Sequence, residues 1–146
     1  MRYPVVIHKD SDSDYGVTVP DLPGCFSAGE SVDDAISCVT EAIECHVEGF
    51  LIDGEDVPVS LPMEVHKENP DFADAFAWVL VDVDLSKLSG KTKRINVTIP
   101  ERILSRIDAY AANQNASRSG LIADATLAYI AKHSEASSEK REKVAA

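Results

Sequence analysis

Apolar and polar residues alternate along the start of the chain, which is the pattern of a β-strand with one buried face. The alternation occupies residues 3–7 and 15–19, and a polar run over 9–14 separates them. Two short strands joined by a hairpin fit this arrangement. Residues 20–24, Pro-Asp-Leu-Pro-Gly, have the composition of a turn, and residues 25–29 predict a third strand.

A helix and a further strand complete the first part of the chain. Ser31 and Asp34 stand at the spacing of a capping box, in which a hydroxyl at the helix start accepts from a backbone N–H three residues later. Apolar residues then follow at helical spacing: Ala35, Ile36, Val39, Ala42, Ile43 and Val47. Gly49 predicts the end of this helix, and the apolar run over 77–83 predicts a final strand. The predicted order is βββαβ.

A second alternating segment, residues 93–99, opens the last part of the chain. Its apolar face consists of Ile95, Val97 and Ile99. Its polar face consists of Arg94, Asn96 and Thr98. Pro100 suits the first turn of a helix, and Ser117 suits the N-cap of a second helix. Residues 134–146 lack a periodic apolar face, so we expect a disordered tail there.

One strand and two helices in about 43 residues bury too little core to be stable alone. We therefore expect the strand to pair with its twin in a second chain, with a dimer core of Ile95, Val97 and Ile99. The resulting antiparallel ribbon fits the major groove of DNA, and its outer face suits contacts with base edges from Arg94, Asn96 and Thr98. The expected phosphate contacts are Lys93, Ser117, Arg118 and Ser119. The alternative is a dimerisation hairpin whose polar face only confers solubility.

Charge divides the chain close to the same place. The 146 residues have a formal net charge of −11, which taken alone argues against a nucleic-acid partner. Residues 1–90 hold four basic and 19 acidic side chains, whereas residues 91–146 hold ten basic and six acidic ones. Opposite charges suggest partners of opposite charge. We predict an acidic protein-binding domain over 1–85, a linker over 86–92 and a basic DNA-binding domain over 93–133.

Composition narrows the class of protein further. No apolar run reaches the roughly 18 residues of a membrane span, and the first residues lack the apolar stretch of a signal peptide. Three cysteines in a chain long enough to bury a core argue for reduced thiols. We therefore expect a cytoplasmic protein without a membrane partner.

Three other chemistries are open to the acidic domain. Asp10, Asp12 and Asp14 have the spacing of EF-hand ligands, but a tyrosine stands where that loop needs glycine, so a hairpin turn fits better. Cys38 and Cys45 lie on one helical face, which favours buried structural thiols over a metal site. Abundant acids in a βββαβ order also suit an RNase H-like nuclease, provided that several acids converge. We expect no metal, cofactor or catalytic residue.

Two stretches of the chain resemble known families. The last part resembles the ribbon-helix-helix repressors in Arg94, Asn96, Thr98, Pro100 and the Ser117-Arg118-Ser119 turn. Residues 15–25, Tyr-Gly-Val-Thr-Val-Pro-Asp-Leu-Pro-Gly-Cys, and residues 29–35, Gly-Glu-Ser-Val-Asp-Asp-Ala, resemble the HicB antitoxins. The resemblance implies a degraded RNase H-like domain that blocks HicA, a small basic mRNA-cleaving toxin, and a second domain that represses the operon. It assigns neither catalytic nor toxin-binding residues.

The leading hypothesis is an α+β protein that acts as an antitoxin and autorepressor and is not an enzyme. The alternative is a ligand-sensing or metal-sensing ribbon-helix-helix repressor without a toxin partner. Pairing of dimers into tetramers stays open at this point, as does the effect of toxin binding on DNA binding.

Overall fold

Two compact units make up the chain. The computed structural model describes residues 1–88 and 92–145. One unit comprises Arg2–Val83, and the other comprises Asp84–Ala146 together with Met1. We call them the first unit and the second unit.

The predicted linker over 86–92 is not a separate segment in its described part. Leu85–Lys87 form a turn of 3-10 helix that packs against the last helix of the second unit. Asp84 begins this turn, because its carboxylate accepts a hydrogen bond from the backbone N–H of Ser86. Residues 89–91 of the predicted linker lie outside the described residues.

The first unit is built on a four-stranded antiparallel sheet. The strands are β1 (Arg2–Lys9), β2 (Tyr15–Thr18), β3 (Phe26–Gly29) and β4 (Ala77–Asp82), in the order β3-β2-β1-β4. Ile7 of β1 lies opposite both Val17 of β2 and Ala77 of β4. The predicted strands are confirmed, but Tyr3 to Ile7 are all buried, so β1 is covered on both faces.

The helix α1 (Val32–Asp53) packs on this sheet and begins as the sequence predicts. Ser31 Oγ accepts from the backbone N–H of Asp34 at 3.1 Å, and the Asp34 carboxylate accepts from the backbone N–H of Glu30 at 2.9 Å. Its buried residues all belong to the predicted apolar stripe: Ala35, Val39, Ile43 and Val47.

The predicted end of α1 is wrong. Gly49 lies within the helix with open space around it, and the helix ends instead at Gly54, whose φ of 69° is left-handed. A glycine inside a helix costs only about 1 kcal/mol, so it does not end a helix by itself. The chain then passes through α2 (Met63–Lys67) and a 3-10 turn at Pro70–Phe72 before it reaches β4.

A close backbone approach fixes the path from β3 to α1. A Cβ atom at position 29 would lie 2.3 Å from the backbone nitrogen of Ala35 and 2.7 Å from the carbonyl carbon of Asp34. Only Gly29, which has no Cβ, fits this geometry.

The second unit contains α3 (Glu101–Asn113) and α4 (Arg118–Ala145), which pack against each other. Asn115 in the connecting turn has a φ of 51°, a left-handed conformation that asparagine tolerates well. Within the described residues, the segment 93–99 forms no strand, although its alternation predicts one. A strand needs a hydrogen-bonded neighbour, and the predicted neighbour is a second copy of the chain.

The sequence predicts a disordered tail over 134–146, whereas α4 extends through most of this stretch. It continues to Ala145, and the side chains that the structure describes end at Ser134. Alanine, glutamate, lysine and arginine are abundant in this tail and have high helix propensity, so a helix already formed upstream extends through them. The prediction depended on apolar periodicity, which reports burial rather than helicity.

The chain belongs to the α+β class, as the sequence predicts, with an antiparallel sheet followed by helices. None of the helices in the described part of the chain is both long and apolar enough to cross a membrane.

Candidate functional site

The alternating segment before α3 is exposed on both of its faces. Arg94, Asn96 and Thr98 are exposed, as predicted for residues that contact a partner. Two of their apolar neighbours are exposed too: Ile95 is 70% and Val97 is 66% accessible. The single chain therefore leaves two large apolar side chains of the predicted strand face in water, and the predicted pairing with a second chain would cover them.

Ile99, the third residue of the predicted dimer core, is half-buried, and Pro100 after it caps α3. The carbonyl of Pro100 accepts from the backbone N–H groups of Ile103 and Leu104 at 2.9 and 3.0 Å. The segment is thereby joined to the first turn of α3 without a loop between them.

A carboxylate of the second unit lies at the start of α4, where the sequence predicts a phosphate contact. Ser117 Oγ accepts from the backbone N–H of Gly120 at 2.9 Å and donates to Asp84 Oδ2 at 3.1 Å. Asp84 Oδ1 also accepts from the backbone N–H and the hydroxyl of Ser86, at 3.0 and 2.6 Å. The positive end of the helix dipole thus faces an anion already.

The carboxylate of Asp84 can approach the start of α4 closely because residue 120 is a glycine. A Cβ atom at position 120 would lie 2.5 Å from Asp84 Oδ1, so Gly120 leaves the space that the carboxylate fills. Burial alone would raise the pKa of Asp84, but hydrogen bonds from Ser86 and Ser117 and the charge of Lys87 lower it overall. The carboxylate is therefore ionised at neutral pH.

Arg118, another predicted phosphate contact, is engaged by an acid. Its Nε donates to Asp108 Oδ1 at 2.6 Å, and its Nη2 donates to Asp108 Oδ2 at 2.8 Å. Both side chains are about half exposed, so the pair can exchange partners. Lys93 and Ser119, the remaining predicted phosphate contacts, are exposed. All four residues stay predictions as DNA contacts.

A buried polar tie, which the sequence does not reveal, organises the surface of the first unit. Asp21 Oδ1 accepts from the backbone N–H of Leu61 at 3.0 Å and lies 2.9 Å from His66 Nε2. The Asp21 side chain is only 3% exposed. The sequence predicts Asp21 only as a turn residue, because its partners lie 40 and 45 residues away.

Residues 3–126 match the family of HicB-like antitoxins of bacterial toxin–antitoxin systems. This chain belongs to the HicB-like antitoxin family. The family is one of antitoxins and not of enzymes, and the predicted resemblance to it is confirmed.

The similarity extends over most of the chain in two relatives of this HicB-like antitoxin. The crystal structure of the Burkholderia pseudomallei antitoxin HicB is 49% identical with a TM-score of 0.71, over 87% of this chain and 96% of that one. An uncharacterised 14.9 kDa protein of Haemophilus phage HP1 is 46% identical over 112 residues, 77% of this chain and 83% of its own.

A third relative is solved together with a toxin. The HicA3–HicB3 toxin–antitoxin complex contains a chain 26% identical to this HicB-like antitoxin, with a TM-score of 0.50. The match covers 57% of this chain and 99% of the other.

Within the described residues, no group of three His, Cys, Asp or Glu side chains is placed to hold a metal ion. Cys25 is buried, and burial is the main cause that raises the pKa of its thiol. Cys38 is half-buried and Cys45 is exposed, so the predicted burial of the thiols fails for Cys45 because it lies on the outer side of α1.

Proposed function

We propose that this antitoxin neutralises an mRNA-cleaving toxin of the HicA type through its first unit and represses its own operon through its second unit. Because the proposed toxin acts on mRNA and the proposed operator is chromosomal, the proposal includes a cytoplasmic location. The proposal has two parts, and different observations support them.

Charge supports the toxin-binding part. The sequence of the first unit, Arg2–Val83, contains 18 acidic and three basic residues. A strongly acidic surface accelerates association with a basic protein and repels RNA, so it favours a nuclease as partner over a nucleic acid. The related HicB3 forms a complex with the HicA3 toxin.

The exposed apolar row supports the DNA-binding part and carries the proposal of a paired ribbon. Ile95 and Val97, two residues apart, are 70% and 66% exposed in the single chain. Antiparallel pairing with a second copy covers this face and presents the opposite face, which contains Arg94, Asn96 and Thr98. Arginine, asparagine and threonine are side chains that read base edges in the major groove.

Separate assays of the two activities test the proposal. Purified full chain is added to its toxin in an RNA-cleavage assay, and to its own promoter DNA in a fluorescence-anisotropy titration. We expect both inhibition and sequence-specific binding, with Arg94→Ala weakening operator binding by about 1–3 kcal/mol and leaving inhibition intact.

A matched variant makes the DNA assay specific. Arg102→Ala removes the same charge from an exposed position on α3, so it controls for the loss of one positive charge. Equal weakening by both variants, with equal slopes on operator and random DNA, would show that Arg94 contributes charge and no base recognition. Loss of toxin inhibition in Arg94→Ala would contradict the division of labour between the units.

A further inference from the structure

A row of exposed apolar side chains marks one surface segment of the first unit. We define the docking segment as residues 51–65, from the last turn of α1 into α2. Five large apolar residues of this segment are exposed by 43–78%: Leu51, Ile52, Val59, Leu61 and Val65. Single exposed apolar residues are ordinary on a protein surface, but a concentration of them in 15 residues indicates a site of interaction.

Three anchors hold the docking segment in place. Tyr3 Oη donates to the carbonyl of Pro58 at 2.9 Å, and Val57 next to it is 1% exposed. Asp21 Oδ1 accepts from the backbone N–H of Leu61 and contacts His66 just beyond the segment. A surface that is ordered before binding loses less conformational entropy when a partner docks.

Acidic residues alternate with the apolar ones along the same segment. Asp53, Glu55, Asp56 and Glu64 are exposed within the docking segment. The sequence of the segment contains no lysine or arginine. Interfaces between proteins that also exist separately usually combine exposed apolar and charged side chains.

We propose that the docking segment is the surface with which the first unit binds its toxin, and that the toxin presents a basic, partly apolar face to it. This inference rests on the proposed toxin neutralisation and adds where on the chain it occurs. The exposed acidic residues of the docking segment select a positively charged protein as the occupant. A second copy of this chain would bring two acidic segments together, which costs free energy.

The buried carboxylate of Asp21 acts in this proposal as a positioning group. It joins the turn before β3 to both ends of the span from Leu61 to His66. The side chains of Leu61 and Val65 project from this span, so Asp21 sets their spacing without touching the toxin. In this proposal, Asp21 positions the docking segment as well as forming its own turn.

Substitution of exposed residues tests the docking segment without disturbing the core. The test variant of the full chain is Ile52→Ser, Leu61→Ser and Val65→Ser combined. The matched control is Phe26→Ser with Leu80→Ser, two residues of the sheet in the same unit that are 66% and 49% exposed. Calorimetric titration with the purified toxin measures the affinity of each protein.

We expect the test variant to bind the toxin about 100-fold more weakly, as the loss of a cluster of interface anchors does, and the control to stay within about threefold of the parent chain. Equal affinity of the test variant and the parent overturns the proposal. A loss confined to the control assigns the toxin to the sheet and also overturns it. Failure of the parent chain itself to bind the toxin refutes the proposed neutralisation instead.

Charge reversal provides a second readout if the test variant unfolds. Glu55→Lys with Asp56→Lys changes two exposed residues after Gly54. We expect weaker toxin binding that depends less on salt concentration, with Asp10→Lys and Asp12→Lys in the β1–β2 turn as the control. Unchanged binding, or a change in self-association in place of toxin affinity, counts against the proposal.

Discussion

Replacing Val97 by threonine tests whether the proposed dimer forms through the apolar face of the alternating segment. Threonine keeps the β-branched shape of valine and exchanges one methyl group for a hydroxyl. Val97 is 66% exposed in the single chain, so the exchange costs the free protomer little. In a paired ribbon, each protomer would bury that hydroxyl against apolar side chains.

The expected loss of dimer stability follows from moving this hydroxyl from water to an apolar site. A hydroxyl moved from water to an apolar site without a hydrogen-bond partner costs about 1–3 kcal/mol in mutational series. A symmetric dimer contains the substitution twice, so dimerisation is weakened by about 2–6 kcal/mol. The dimer Kd should therefore rise by a factor on the order of 30 to 10⁴.

Sedimentation equilibrium over a dilution series measures this Kd, and Thr98→Val is the matched control. It makes the reverse exchange at the next residue, on the face that is predicted to point outward. We expect Val97→Thr to dissociate at concentrations at which Thr98→Val remains dimeric. The opposite order would show that the polar face is the buried one, and equal dimerisation of both variants would refute a ribbon interface.

Three further predictions concern the helices. Asp84→Asn removes the anion from the start of α4, and it should strengthen DNA binding by about 0.3–1 kcal/mol per protomer in anisotropy titrations. The control Asp12→Asn makes the same charge change in an exposed turn and should leave DNA binding unchanged. Equal effects of the two variants would exclude a local role for Asp84. The hydrogen bond and charge of Arg118 hold the pKa of Asp108 below its ordinary 3.8, so this pair stabilises the fold above that pH and ceases to do so as pH falls through the lowered pKa. Urea unfolding from pH 5 to 2 should show a shallower acid loss of stability in Asp108→Asn, and an unchanged profile would contradict the assignment. Gly49→Ala should stabilise the chain against urea by about 0.5–1 kcal/mol, because the helix interior there has room for a methyl group, and a destabilised variant would contradict the open space at this position.

Local patterns located the four strands and α1 of the first unit, because burial on a sheet favours a period of two and burial on a helix a period near 3.6. The buried stripe of α1 follows its period and the Ser31 hydroxyl caps the helix, whereas β1 departs from its period because residues 3–7 are all buried. The same patterns misplaced the end of α1. Gly49 and Gly54 are equally strong stop signals in sequence, and the left-handed φ that ends the helix falls at Gly54.

Polar ties between distant residues left no periodic signal. Asp21 is 40 residues from Leu61, and Asp84 is 33 residues from Ser117. Each tie consists of an aspartate that the sequence explains locally, as a turn residue or as part of a linker. The candidate phosphate site at α4 was therefore located by its hydroxyl and cation, while the carboxylate facing it was not foreseen.

The approach of β3 to α1 has a consequence for genetics. At most contacts, a substitution that is too large can be compensated by a smaller residue at the neighbouring position. At Gly29 the neighbours are the backbone atoms of Asp34 and Ala35, which every residue type shares. Second-site suppressors of Gly29→Ala should thus not arise as side-chain replacements at positions 34 or 35, and recovery in a selection for antitoxin activity should come mainly through reversion to glycine.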